Sequence, residues 1–393
     1  MKWTSAISQE PDLRDALEEA IEAVQDVLGD QVDLLVAFAS PHHSERCFDL
    51  PEILKSAFPD AIVVGCTGGG IIGAAQEMED TPAFSLTAAR LPDVELIPFH
   101  VDAADLDALA ANPARWHDFL GVHPDQQPCF ILLPEPFSCP AQQLTESLDE
   151  AFPDCTKVGG LASGSQQPGG HHLFLNEVCQ LEGAVGIALW GDVCMDTVVA
   201  QGCRPIGQPM LVSRSDQNVL FELDGRPALP ALDEIVRNLN EREQALFSQS
   251  PHLGIAINGI QAEHGDFLVR NILGIDRQHN VVAVGAIVET GQTVQFHIRD
   301  AETSSEDLHR HLGNYQVRQH RTPPSGALLF SCLGRGRQFY GVPNHDSRTF
   351  QSLIGEVPLG GFFCNGEIGP VHGQTQLHGY TSSFGLFRSR GWD

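Results

Sequence analysis

The densest run of reactive side chains is Cys364-Asn365-Gly366-Glu367, followed shortly by His378, Tyr380, Thr381 and Ser382. A thiol, an imidazole and a carboxylate so placed would suit acyl transfer or hydrolysis, with Cys364 as nucleophile, His378 as base and Glu367 or Asn365 as orienter. The same groups also read as a binding loop, or as a packed thiol beside an acid that satisfies turn amides. Short signatures of this kind do not transfer between families, so binding or packing is the better reading. Other groups could grip a ligand. An arginine holds a carboxylate bidentately and an acid holds an ammonium, which makes Arg204, Arg299 and Glu367 candidates. Arg299 beside Asp300 has a plainer reading as a strand-end ion pair. Cys66-Thr67-Gly68 would present amides and a hydroxyl to an anion as a backbone nest.

Several chemistries are excluded. Gly68-Gly69-Gly70-Ile71-Ile72-Gly73 matches the dinucleotide fingerprint in letters. It leaves little room for the helix that must open on those glycines, so a tight turn against a neighbouring backbone is expected instead. No cofactor is expected. The pairs His42-His43 and His171-His172 lack ligand spacing and are expected at the surface or in turns, and no metal site is expected. Of 23 basic residues only Lys2, Lys55 and Lys157 are lysines, against 51 acids, for a net charge of −28. That balance argues against nucleic acid and anionic membranes as partners. The N-terminus lacks the apolar core of a signal peptide, and no run approaches the roughly 18 apolar residues of a membrane span. A cytoplasmic protein with reduced thiols is expected.

The elements that must position these groups follow a recurring grammar. Leu13, Ala16, Leu17, Ala20, Ile21, Val24 and Leu28 share one helical face, with Pro11 in the first turn and Gly29 at the end. The strand Asp33–Ser40 leads through a helix to Ala57-Phe58-Pro59-Asp60, a second strand, and a glycine loop. Strands at Phe84–Leu91 and Val94–Val101 follow. Phe130–Leu133, Leu144–Phe152 and Ala151-Phe152-Pro153-Asp154 repeat the pattern, and Ala327–Cys332 with Thr349–Ile354 and Gly361–Phe363 repeats it again. A weaker copy is expected over Gly254–Ile257, Val281–Gly285 and Thr293–Arg299. One helix should carry Leu232, Ile235, Val236, Leu239 and Leu246. The fold class is α/β: two related domains of mixed sheets flanked by helices, built from repeated β-α-β-loop-β-β units. Breakers between Gly202 and Leu232 divide the chain into 1–215 and 216–393.

These residues also carry a family resemblance. Gly361–Val371 and Leu377–Ser383, with Phe296–Glu302 and Leu329–Arg337, resemble the FIST C-terminal domain. Val64–Gly69 and Gln201–Gly207 resemble the FIST N-terminal domain, so the likeness spans about Leu34 to Phe387. It implies a small-molecule sensing module of intracellular signalling that binds an amino acid or similar ligand. The repeated strand-to-polar-loop grammar gives the expected ligand site as Cys66, Thr67, Gly68, Arg204, Arg299, Cys364, Asn365, Gly366, Glu367 and His378. The sequence has no room for a kinase, receiver or F-box domain, so a separate output protein is the implied partner. A protein-binding adaptor stands as a further alternative.

Overall fold

The computed structural model describes residues 1–257, 267–318 and 322–391. The chain folds as two compact units: Met1–Ala200 with Leu308–Leu377 and Thr381–Asp393, and Gln201–Asp307 with His378–Tyr380. The division cuts across 1–215 and 216–393, because the chain leaves the first unit at Gln201 and re-enters it after Asp307.

The first unit is assembled from one wiring pattern run three times. The first run is β1 (Lys2–Ser8), α1 (Leu13–Leu28), β2 (Leu34–Ala39), α2 (Leu50–Ala57), β3 (Ile62–Thr67), the hairpin β4 (Gly70–Gly73) and β5 (Gln76–Glu79), and β6 (Phe84–Arg90). In the second, β7 (Val94–Val101) leads through α3 (Ala103–Ala110) and α4 (Pro113–Leu120) to β8 (Cys129–Pro134). Then come α5 (Ala141–Ala151), β9 (Lys157–Gly160), the hairpin β10 (Leu173–Leu175) and β11 (Val178–Gln180), and β12 (Ala184–Gly191). The helices obey the expected periodicity, although Pro11 lies outside α1. Asp12 caps it, accepting from the Arg14 amide.

The third run opens with β13 (Cys194–Gln201) and is interrupted by the second unit: β14 (Cys203–Asp216), β15 (Val219–Leu223), β16 (Arg226–Pro227), α6 (Ala228–Arg237), α7 (Glu241–Gln249), β17 (Pro251–Ala256), β18 (Phe267–Asp276), β19 (Val281–Val284) and β20 (Thr293–Arg299). It resumes with α8 (Ala301–Arg318), β21 (Gly326–Cys332), α9 (Arg337–Tyr340) and α10 (His345–Ile354). It ends with β22 (Leu359–Cys364), the pair β23 (Glu367–Val371) and β24 (Gln374–His378), and β25 (Thr381–Arg388).

Three six-stranded sheets result, ordered β1-β6-β2-β3-β10-β11, β7-β12-β8-β9-β23-β24 and β13-β25-β21-β22-β4-β5. Each has a parallel central pair (β2/β3, β8/β9, β21/β22). Each also sends its hairpin away: β4 pairs with β22, β10 with β3, and β23 with β9. The central strands are buried from end to end, as parallel strands covered on both faces must be. The register makes Gly65, Gly159 and Gly361 equivalent, facing Ala37, Leu132 and Leu329. A Cβ at these glycines would lie 1.9, 1.8 and 1.9 Å from the facing carbonyl oxygen. Only glycine admits that approach.

The two Ala-Phe-Pro-Asp corners are pinned alike. Lys55 Nζ donates to the carbonyls of Pro59 (2.7 Å) and Ala61 (2.9 Å), and Lys157 Nζ to those of Phe152 (2.8 Å) and Cys155 (3.0 Å). Lys2 Nζ donates to the Val27 carbonyl at 2.6 Å. All three lysines thus serve main-chain carbonyls.

The second unit differs in kind. All its strand pairs are antiparallel, and pairing of β14 with both β20 and β15 closes the sheet on itself. The stretch expected as a weaker fourth copy is therefore barrel wall, with no parallel pair among the described residues. Its core runs from Ile206 and Val212 through Leu220 and Leu232 to Phe296 and Ile298. The single helix expected across Leu232–Leu246 is two. Asn240 and Glu243 form a capping box that starts α7 afresh. Among the described residues no helix is long and apolar enough to cross a membrane.

Candidate functional site

The Cys364–Glu367 corner lies in the first unit, where β22 turns into β23. Register places Glu367 opposite Gly160, Leu173 opposite Cys66 and Ile71 opposite Phe362. A fully buried glutamate thus occupies a position that the related hairpins fill with Ile71 and Leu173. Its Oε2 accepts from the Thr381 amide (2.9 Å) and hydroxyl (2.7 Å). Burial outweighs those bonds and pushes the carboxyl up to about 7. Cys364 Sγ sits 3.5 Å from the Ser331 carbonyl and 3.7 Å from Glu367 Oε1. Burial, then the neighbouring Glu367, drives its thiol well above the ordinary range. A nucleophilic cysteine needs the opposite environment, electropositive and partly exposed. The residues weighed as an alternative thiol site therefore make a packed strand end.

Beside this corner lies a buried ionic network. Arg335 and Asp346 are both almost inaccessible and pair through Nε at 2.9 Å and a second guanidinium nitrogen at 3.3 Å. Asp346 also accepts from Ser331 Oγ (3.2 Å), Ser382 Oγ and His345 Nδ1 (2.9 Å). Burial opposes its ionisation, but the Arg335 charge and these donors hold its carboxyl well below the usual range. Glu77, on the hairpin received from the first run, accepts from the Ser347 amide (2.7 Å) and hydroxyl (2.8 Å) at the start of α10. Burial and then the Asp346 carboxylate push it up to about 7.

Two carboxyls raised from 4.5 to about 7 make a stability prediction. Each of these carboxyls binds more protons in the folded chain than in the unfolded one across that window, so its contribution to stability falls as pH rises, by on the order of 3 kcal/mol per group. His43, His172 and His252, which burial keeps neutral, contribute the opposite slope, so the comparison is between chains: from about pH 5 to 7 the urea midpoint of Glu77→Gln with Glu367→Gln should rise relative to that of the unaltered chain. An unchanged slope in the double variant would show both groups ionised in the fold.

The other expected residues are spread over both units. Cys66 is buried in the core, with its thiol raised by burial. The amides of Thr67, Gly68 and Gly69 donate to His172 O, Ala39 O and Ser163 Oγ, so these three are already taken within the fold. Asn365 is exposed and Gly366 buried at the turn. In the second unit, Arg204 is bound to Glu243 at 2.7 Å. Asp300 is paired not with Arg299 but with Arg242, at 2.9 and 3.2 Å. Arg299 lies 5.2 Å over the Tyr380 ring, and His378 is buried. His43, His171 and His172 are buried rather than superficial; His171 Nδ1 is 2.9 Å from Glu135 Oε1. Among the described residues no cluster is arranged to hold a metal.

The site that residue spacing missed is a hollow of about 640 Å³ in the first unit, at the carboxyl ends of β21 and β22. Ligands of open α/β sheets bind in crevices of this kind, outside the strand ends. Five lining residues are glycines: Gly69, Gly70, Gly334, Gly336 and Gly341. The charged lining is Glu79, Asp80 and Arg337. Register explains the space. Gly70 occupies the place of His172, and counting on from the strand ends sets Gly69 against His171 and Gly334 against His42 and Phe137. This strand end thus has glycine where its relatives carry His42, Phe137, His171 and His172, although Gly366 of the β23 hairpin also stands at the place of Gly70. Gly68–Gly73, expected as a tight turn, instead runs into strand β4 that walls it. The sequence signal was present: the Gly68–Gly70 run and the glycines alternating with Arg335 and Arg337.

Comparison with known proteins gives matches to the FIST N domain over residues 33–226 and the FIST C domain over residues 228–370. The chain is 38% identical over 390 residues to uncharacterized protein Rv0628c of Mycobacterium tuberculosis, spanning 98% of this chain and 100% of that protein. It is 36% identical over 381 residues to uncharacterized protein Mb0898c of Mycobacterium bovis, 96% of each. A shorter likeness, 28% identity over 158 residues, joins 37% of this chain to 28% of the F-box/LRR-repeat protein At5g63520 of Arabidopsis thaliana.

Proposed function

Since this chain belongs to the family that joins a FIST N domain to a FIST C domain, we propose that it senses a small ligand, an amino acid or close analogue, in the glycine-walled hollow. FIST domains are sensory domains of signal transduction, and the ligand is what this reading adds. The observation that carries it is the open hollow at the strand ends: five of its lining residues are glycines, and both signs of charge stand in its lining. Arg337 is exposed and suited to a carboxylate; Glu79 and Asp80 are suited to an ammonium. These groups take the roles first given to Arg204, Arg299 and Glu367. Cys364 to Glu367, with Cys66 to Gly68, then serve as the packed floor. The repeated wiring is read as an internal repeat. The reading takes a separate cytoplasmic protein as the recipient of the signal.

A thermal-shift screen over the amino acids tests this reading. A ligand at 100 times its Kd should stabilise by about 2.7 kcal/mol. Arg337→Ala should weaken that ligand at least tenfold while leaving the unliganded melting temperature within about 2 °C, as befits an exposed side chain. Undiminished binding by the variant would place the ligand elsewhere.

A further inference from the structure

The hollow's charges are unequal, and this bears on which ligands it takes, given the reading above. Glu79 and Asp80 face one guanidinium, Arg337. Arg335 lies just behind, but its charge is matched within the buried pair with Asp346. Glu79 is held in place: its Oε1 accepts from the Arg337 amide at 2.7 Å. Its Oε2 occupies the space a side chain at position 336 would need, 1.9 Å from where the Cβ would stand. Asp80 is fixed at φ +55, a left-handed conformation that costs energy for any residue but glycine. Hairpin register extended one step beyond Gln180 sets Leu181 in the place of Glu79, so of these two hairpins only the one at the hollow carries a carboxylate there.

We infer that the hollow selects amino acids or related carboxylates bearing a second, cationic group. A simple zwitterion would satisfy Arg337 and one acid and leave the other carboxylate without a counter-charge. An added guanidinium or ammonium completes the match, whereas dicarboxylates and phosphates meet excess negative charge. The inference rests on the proposed ligand site and goes beyond it in assigning the charge class.

Arginine and citrulline test it, being nearly isosteric and differing in one positive charge. Titration calorimetry on the full chain should show arginine binding on the order of tenfold tighter or more, as charge-assisted hydrogen bonds exceed neutral ones. Asp80→Asn should bring the ratio towards one, and Arg337→Gln should weaken both ligands alike. The arginine-to-citrulline ratio of the unaltered chain stands even if a variant misfolds. Equal or tighter binding of citrulline, with both weakened by Arg337→Gln, would overturn the charge class and keep the ligand site. Preference for glutamate would do the same. No binding of any amino acid at millimolar concentration would overturn the ligand site as well.

Discussion

Replacing Gly361 by alanine is expected to leave no folded protein. The new methyl carbon would stand 1.9 Å from the Leu329 carbonyl oxygen and 2.8 Å from the carbonyl carbon, both main-chain atoms of the adjacent parallel strand. No rotamer change relieves that clash. The strand β21 is held between β22 and β25 and has nowhere to recoil. Gly361 also has φ +151, outside the regions a side chain tolerates. Displacing two buried strands should cost more than the 4–5 kcal/mol or so that already marks an exceptional substitution. Gly65→Ala and Gly159→Ala meet the same obstacle at 1.9 and 1.8 Å. Gly274, with nothing within 4 Å of its Cβ position, is the control and should change stability by about 1 kcal/mol at most. Circular dichroism and gel filtration decide the matter: a monodisperse Gly361→Ala chain with an unshifted melting temperature would refute the argument.

Asp346→Ala is the second large effect. It strands the Arg335 guanidinium, which is 1% exposed, without its counter-charge, and removes the acceptor for Ser331, Ser382 and His345. Breaking a buried pair by removing one partner costs about 3–5 kcal/mol, because the other charge stays buried. Removing both should cost less. Arg335→Met combined with Asp346→Leu is therefore expected to be more stable than Asp346→Ala alone, as urea denaturation would show. If the double variant is the weaker, the pair contributes stability beyond mutual compensation.

The recurring strands and helices were legible because each is a local signal. A buried run, a helical face and an Ala-Phe-Pro-Asp corner lie within a few dozen residues. The hollow was not legible, because hairpin exchange assembles it. Glu79 reaches the Arg337 amide across 258 residues of chain, and no spacing encodes that meeting. Strand pairing sets Gly68, and not Cys66, in the place of Cys364, so the two cysteine-bearing loops are not equivalent letter for letter. Arg204 is basic and follows a strand, but an acid 39 residues further on claims it. Partners of charge appear only in three dimensions.

The lending of hairpins also sets a timetable for synthesis. The sheet around β2 and β3 lacks its outer strands until β10 and β11 have left the ribosome. The sheet around β8 and β9 waits longer, until Glu367–His378 emerges. For most of translation β9 is an open edge in an apolar sheet, the kind of surface that invites pairing with other chains. The barrel of the second unit has no such wait, because its strands lie together in the chain. The ribosome should therefore release the barrel while the sheets around β8/β9 and β21/β22 are unfinished, and their completion awaits β23 to β25.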